Sequence, residues 1–167
     1  MLEPCQGCGG LFEPVAGTTH AYMLSSPACY EAFCALLAAE YATPELMAVH
    51  RLTVDTYAVQ HPGLATERRA VQSVGLHLAR LMLQLTRPRP PAETNAVMLD
   101  FSKRKATLKA LDPPASFAMT VADVAAYAGT PAHSAQVHAW AAATWYDWSP
   151  AHDYIKHWVG DHSNGHR

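Results

Sequence analysis

The sequence predicts an all-α helical bundle with a small N-terminal zinc-knuckle segment of zinc-ribbon type. Three observations support this fold class. Half of the 167 residues are apolar, which is enough for one domain with its own core. Helix-start signals recur along the chain, whereas strand signals are few. Two cysteines near the N-terminus have the spacing of a metal-binding knuckle.

The chain is expected to have three parts. Residues 1–26 form the zinc-knuckle segment, which packs on the bundle rather than folding independently of it. Within it, Thr19–Met23 carries the best strand signal. Residues 27–159 form the helical bundle, and residues 160–167 are expected to be a disordered polar tail.

Helix starts are signalled by a hydroxyl residue before a proline, which pairs an N-cap side chain with proline at the first helical position. The pairs are Ser26-Pro27, Thr43-Pro44, Thr130-Pro131 and Ser149-Pro150. A fifth start, Thr120 with Asp123, has the spacing of a capping box. The predicted helices lie near 27–41, 44–61, 65–86, 92–110, 120–128, 131–148 and 150–159. The helix over 44–61 is apolar on nearly every face, so we expect it at the centre of the bundle.

The predicted zinc ligands are Cys5, Cys8, His20 and Cys29. The sulfurs of Cys5 and Cys8 can converge on one ion because only two residues separate them. Cys29 is expected in the first turn of its helix, where free N–H groups and the helix dipole stabilise a thiolate. Such a Cys3His set is typical of a tetrahedral zinc site.

Two further points concern the cysteines. Cys34 lies five residues beyond Cys29 and so points about 140° away from it on a helix, which predicts that Cys34 is in the core. The alternative to a zinc site is that Cys5 and Cys8 form a redox pair or an incidental knuckle, with His20 and Cys29 elsewhere.

A second set of polar and aromatic residues lies on the predicted helices of the bundle: Asp55, Tyr57, His61, His77, His138 and Trp145. Tyr57 and His61 are four residues apart on the central helix and can therefore meet. Imidazole, phenol and carboxylate groups are costly to bury unless they are paired. We expect these residues to line a cleft for a small ligand or partner. The alternative is that each histidine is a core residue satisfied by a hydrogen bond.

Composition and motifs argue against several classes of function, and nucleic-acid binding through the knuckle and Lys103–Lys105 is a weaker third alternative. The net charge of −2 gives no general attraction to nucleic acid or to an anionic membrane. No apolar run is long enough to span a bilayer, and the N-terminus is unlike a signal peptide. We expect a cytoplasmic protein, where a reducing environment favours metal-bound cysteines over disulfides. The chain has no phosphate loop, nucleophile elbow, dinucleotide fingerprint or HExxH motif.

Several motifs of the chain resemble those of a bacterial domain family of unknown function. The segments that carry the likeness are Cys5–Gly9, Thr19–Cys29, His50–Gly63, Ser73–His77 and the Trp-rich end. The resemblance runs along nearly the whole chain and implies no particular activity. It marks ten motif positions: Cys5, Cys8, His20, Cys29, His50, Asp55, Tyr57, Gln60, His61 and His77.

Two functions remain open at this point. In the first, a closed four-ligand zinc site is structural, and the bundle offers a His/Trp-lined cleft to a small molecule or partner. In the second, the protein is a metal-dependent enzyme such as a hydrolase. A second, catalytic ion would then be held by His61, His77 and a C-terminal histidine, with Asp55 or Tyr57 assisting proton transfer.

Overall fold

The computed structural model describes residues 1–160, which form seven α-helices and one short N-terminal hairpin. The hairpin consists of β1 (Glu3–Pro4) and β2 (Leu11–Phe12). The helices are α1 (Pro27–Ala42), α2 (His50–Gln60), α3 (Arg68–Thr86), α4 (Pro91–Arg104), α5 (Val121–Val124), α6 (His133–Asp147) and α7 (His152–Val159). The predicted helical fold with a small N-terminal segment is confirmed. The predicted disordered tail beyond Gly160 lies outside the described residues.

Two of the predicted helix caps form. The Ser26 hydroxyl accepts a hydrogen bond from the Cys29 N–H at 3.4 Å and starts α1. Thr120 and Asp123 make the reciprocal bonds of a capping box at the start of α5. Sequence-local signals of this kind are reliable here because both partners lie within one turn.

The predicted helix over 44–61 is divided into two elements. The Thr43 hydroxyl does not cap it, and the Thr43 carbonyl instead accepts from the Leu46 N–H three residues on. Residues Pro44–Val49 therefore form a 3₁₀ turn, and α-helical geometry begins only at His50. The Ser149-Pro150 pair likewise opens a 3₁₀ turn, over Ser149–Ala151.

The strand prediction for Thr19–Met23 is wrong. The two strands instead flank the cysteine knuckle, with Glu3 opposite Phe12 and Pro4 opposite Leu11. The segment that contains Thr19–Met23 runs as a loop past the end of α2, and the Leu24 N–H donates to the His61 carbonyl at 3.3 Å. This segment is therefore held by a backbone hydrogen bond to the end of a helix and not by pairing with a strand.

Helix α2 lies at the centre of the bundle, as predicted, and packs against α1, α3 and α6. Its last residue, Gln60, is fully buried and donates to the Met119 carbonyl at 2.7 Å and to the Thr144 hydroxyl at 2.8 Å. The side-chain oxygen of Gln60, Oε1, accepts from the Trp140 indole N–H at 3.1 Å. This amide, with its polar atoms paired, fixes the C-terminal end of α2 against α6.

The N-terminal segment shares the core of the bundle. Cys5, Cys8 and Met23 belong to the same buried cluster as Leu36, Leu78 and the other apolar residues of the helices. Among residues 1–160, no helix has both the length and the apolar character that crossing a membrane requires.

Candidate metal centre

Four side chains of the ligand types that zinc prefers converge in the core: Cys5, Cys8, Cys29 and His61. All four residues are buried, and their ligand atoms lie within 4.8 Å of one another. Within residues 1–160 they are the one such group of three or more His, Cys, Asp or Glu side chains. We call this group the Cys3His cluster.

The knuckle between β1 and β2 presents the first two sulfurs. The Cys5 N–H donates to the Gly10 carbonyl at 2.8 Å, and the Gly9 N–H donates to the Cys5 carbonyl at 2.9 Å. Gly9 has a φ of 75°, which is the left-handed conformation that glycine adopts without strain. The turn therefore closes tightly and leaves both thiols on its inner side.

Backbone N–H groups also point at the sulfurs. The Gly10 N–H lies 3.4 Å from Cys8 Sγ, and the Ser26 N–H lies 3.4 Å from Cys5 Sγ. Cys29 is the third residue of α1, in the first turn, where the positive end of the helix dipole lies. Each cysteine thus has a backbone N–H or a helix N-terminus beside it that would stabilise its thiolate once formed.

His61 completes the cluster from the end of α2. Because a residue before proline is disfavoured from helical geometry, His61 leaves the helix at Pro62, with a φ of −126° and a ψ of 57°. Its Nδ1 lies 2.6 Å from the Tyr57 carbonyl, which can only accept, so Nδ1 carries the proton. In the neutral imidazole this leaves the lone pair of Nε2 facing Cys29 Sγ, 3.2 Å away, which is the tautomer that a metal ligand needs.

Aromatic rings and the knuckle backbone hold the His61 ring in place. The Tyr57 ring stacks on the His61 ring with centroids 3.9 Å apart. The Phe33 ring in turn stacks on the Tyr57 ring, also with centroids 3.9 Å apart. Gly7 lies against the ring edge, so closely that a Cβ there would come within 2.6 Å of His61 Cδ2. The imidazole is therefore fixed before any ligand arrives.

The spacing of the cluster fits a tetrahedral ion. With metal–sulfur and metal–nitrogen bonds of about 2.3 and 2.0 Å, two sulfurs are separated by about 3.8 Å, and a sulfur and a nitrogen by about 3.5 Å. Cys8 Sγ and Cys29 Sγ lie 3.8 Å apart, and Cys29 Sγ lies 3.2 Å from His61 Nε2. Small rotations of these side chains would complete the geometry.

The crowding of three thiols alters their acidity. Hydrogen bonds from Cys29 and Cys8 lower the pKa of Cys5, although burial opposes them. A hydrogen bond from Cys29 also lowers the pKa of Cys8, but the bond with Cys5 and burial outweigh it and raise that pKa to about 12. The bonds with Cys5 and Cys8, together with burial, raise the pKa of Cys29. All three can ionise together only if a cation shares the site.

The structure places His61, and not His20, with the three cysteines. The His20 ring packs edge-on against Tyr22, with centroids 4.4 Å apart, and its Nδ1 accepts from the Tyr22 N–H at 3.4 Å. Cys34 points away from the cluster as predicted but is exposed rather than in the core, because that face of α1 meets solvent. The signal for His61 was its position before Pro62, which forces the residue to end its helix.

The six residues predicted to line one cleft lie in separate environments, so that cleft does not form. Tyr57 and His61 are fully buried at the Cys3His cluster. Trp145 stacks on His152 with centroids 3.8 Å apart, and His138 is exposed beside a different surface cavity. His61 and His77 are likewise not brought together as ligands of a second ion.

Asp55 and His77 belong to a buried ion-pair network instead. Asp55 is fully buried, and its Oδ1 accepts from His77 Nδ1 at 2.6 Å. Arg80 donates to both carboxylate oxygens at 2.9 and 2.8 Å, and Gln84 donates to Oδ2 at 2.6 Å. These bonds join α2 to α3 and leave Asp55 no free lone pair for a general-base role.

Sequence reasoning missed a second buried carboxylate, Glu40. Its Oε2 accepts from His50 Nδ1 at 2.7 Å, and its Oε1 accepts from His133 Nε2 at 3.1 Å and from the Thr53 hydroxyl. His133 Nδ1 accepts from the Gly129 N–H at 3.0 Å, so this histidine is neutral with its proton on Nε2. A lone glutamate in a helix usually faces solvent, and nothing local marks this one as buried.

Fold and site together define a helical protein in which an N-terminal hairpin contributes two thiols to a buried Cys3His cluster. The chain belongs to a family described as a family of unknown function (DUF5946), whose model matches residues 3–149. The matched range contains all four members of the cluster. Neither a curated protein nor a solved structure matches the chain.

Proposed function

We propose that the protein binds one Zn²⁺ through Cys5, Cys8, Cys29 and His61, and that this ion has a structural role. The observation that carries the proposal is the convergence of these four buried ligand atoms within 4.8 Å. The histidine of the site is His61, at the end of α2 and 32 residues beyond Cys29, and not His20, which is nearer to Cys29 in sequence.

The chemistry of the donors supports zinc in particular. Three thiolates and one imidazole in tetrahedral spacing are typical of structural zinc, whereas magnesium and calcium take oxygen ligands. A site with four protein ligands is closed and has no coordination position for a substrate. The ion would therefore act on the fold and not on a bound molecule.

The proposed role is to join three separate segments of the chain. Cys5 and Cys8 belong to the hairpin, Cys29 to the start of α1, and His61 to the end of α2. Because the hairpin strands have only two residues each, they have little pairing energy of their own. Zinc would hold the hairpin against the bundle and neutralise the thiolates. The reducing cytoplasm is the proposed location, since it keeps such thiols available to metal.

The proposal is tested by metal content and ligand spectroscopy on protein purified without added metal. We expect one zinc per chain, and X-ray absorption with three sulfur neighbours and one nitrogen neighbour. The Cys8→Ser variant should lose the zinc, and Cys34→Ser is the matched control because that thiol is exposed and outside the cluster. Zinc-free wild-type protein that cannot be reconstituted, or equal loss from both variants, would refute the proposal.

A further inference from the structure

A surface cavity lies at the C-terminal end of α3, and none of the residues that line it belongs to the Cys3His cluster. Its volume is about 150 Å³, and His138 lies at its edge. One part of the wall is apolar and is formed by Leu52, Leu83 and Pro88. Another part carries the side chains of Arg87 and Arg89. We call this the α3-end cavity.

Arg87 is the unusual residue of this cavity. Its Nη1 is buried and makes no hydrogen bond to any residue in the part of the chain that the structure describes. No carboxylate of residues 1–160 forms an ion pair with Arg87 or Arg89. A buried guanidinium nitrogen without a partner is costly. Arg87 as a whole is only half-buried and lines the cavity, so the rest of its guanidinium is available to an anion there.

The carboxylate bonded to the cavity-lining Gln84 is that of Asp55 on α2, and its charge is already paired. Gln84 lines the cavity, but its amide donates to Asp55, whose carboxylate is also held by Arg80 and His77. Arg80 balances the charge of Asp55. The charges of Arg87 and Arg89 are therefore left uncompensated beside an apolar wall.

We propose that the α3-end cavity binds a small organic anion. The oxyanion end pairs with the Arg87 guanidinium, with Arg89 and His138 adding positive charge or hydrogen bonds at the rim. A short hydrocarbon body packs on Leu52, Leu83 and Pro88. Cavities of about 150 Å³ accommodate benzene, so the ligand has on the order of six non-hydrogen atoms. A four-carbon monocarboxylate has this size and this polarity.

The test is an NMR titration of the ¹⁵N-labelled, zinc-loaded protein with sodium butyrate, inorganic phosphate and 1-butanol. We expect saturable shifts with butyrate that are centred on Gln84, Arg87 and Thr94, weaker binding of phosphate, which lacks the apolar body, and no saturation with 1-butanol, which lacks the charge. Arg87→Gln should raise the dissociation constant for butyrate by about tenfold or more, as expected for loss of one charge-assisted hydrogen bond.

The matched control is Arg69→Gln, which removes the same charge from an exposed position where Arg69 lies over the Tyr22 ring. It should bind butyrate like the wild type. Circular dichroism of both variants shows whether they are folded. Failure of butyrate to saturate the wild-type protein would overturn the proposal, as would equal affinities in a folded Arg87→Gln variant and the wild type, or tighter binding of phosphate or 1-butanol than of butyrate.

Discussion

His61 Nε2 lies 3.2 Å from Cys29 Sγ, although 32 positions separate the two residues. The contact joins the end of α2 to the start of α1, at the point where the N-terminal hairpin is also anchored. The Tyr57 carbonyl holds the other nitrogen of the ring at 2.6 Å and so fixes its tautomer.

Chelation of zinc should lower the melting temperature without abolishing the helices. The bundle has an apolar core of its own, which includes residues far from the cluster in sequence such as Leu78, Trp140 and Ile155. Far-UV circular dichroism with and without a chelator checks this, with thermal melts on the same samples. Loss of the helical spectrum at room temperature would show that the fold depends on the ion throughout.

Gly7→Ala should destabilise the protein and weaken zinc binding together. A Cβ at position 7 would meet the Leu24 carbonyl oxygen at 2.2 Å and the His61 ring at 2.6 Å. The knuckle and the histidine would have to move apart, at a cost of about 1–3 kcal/mol. Competition with a chromogenic chelator measures the affinity. Gly17→Ala is the control, since the nearest atom to its Cβ would lie 3.6 Å away, and equal effects of the two changes would contradict the packing described here.

Asp55→Asn should cost about 3–5 kcal/mol in the free energy of unfolding, because it removes one partner of a buried ion pair. Arg80 would be left without its carboxylate, and the NH₂ group that replaces one oxygen would face a donor, either Gln84 or His77. Urea denaturation measures the change. Asp112→Asn, at an exposed position, should lie within about 0.5 kcal/mol of the wild type. A loss for Asp55→Asn as small as that of the control would mean that the network does not exist in solution.

His133→Ala should cost about 2–4 kcal/mol, since it leaves the buried Glu40 carboxylate and the Gly129 N–H short of a partner and opens a cavity. The exposed His157 provides the matched substitution, and His157→Ala should have little effect. If the two variants had the same denaturant midpoint, His133 would not make the two hydrogen bonds described here, one at each ring nitrogen.

The parts of the fold that could be predicted depend on neighbours in sequence. The Cys5–Cys8 knuckle, the position of Cys29 in a first turn and the caps at Ser26 and Thr120 are each decided within a few residues. His61 could not be assigned to the cluster because its approach depends on how α2 packs against α1. His20 is closer to the cysteines along the chain, but closeness in sequence does not determine distance in the fold.

The polar residues of the bundle illustrate the same limit. They were predicted to line a cleft, but the buried carboxylates have partners in other helices: Arg80 and Gln84 for Asp55, and His133 for Glu40. One helical wheel indicates that a side chain is polar on an apolar face. It does not distinguish a paired network from a cleft, and that choice depends on the helices that pack against it.

We propose that His61, not His20, is the fourth ligand of a structural zinc. Zinc per chain, measured after dialysis for His61→Ala and His20→Ala, tests it most directly. We expect His61→Ala to lose most of its zinc under mild chelator competition, because one of four ligands is missing, and His20→Ala to retain the wild-type stoichiometry. Retention of zinc by His61→Ala together with its loss from His20→Ala would contradict the account.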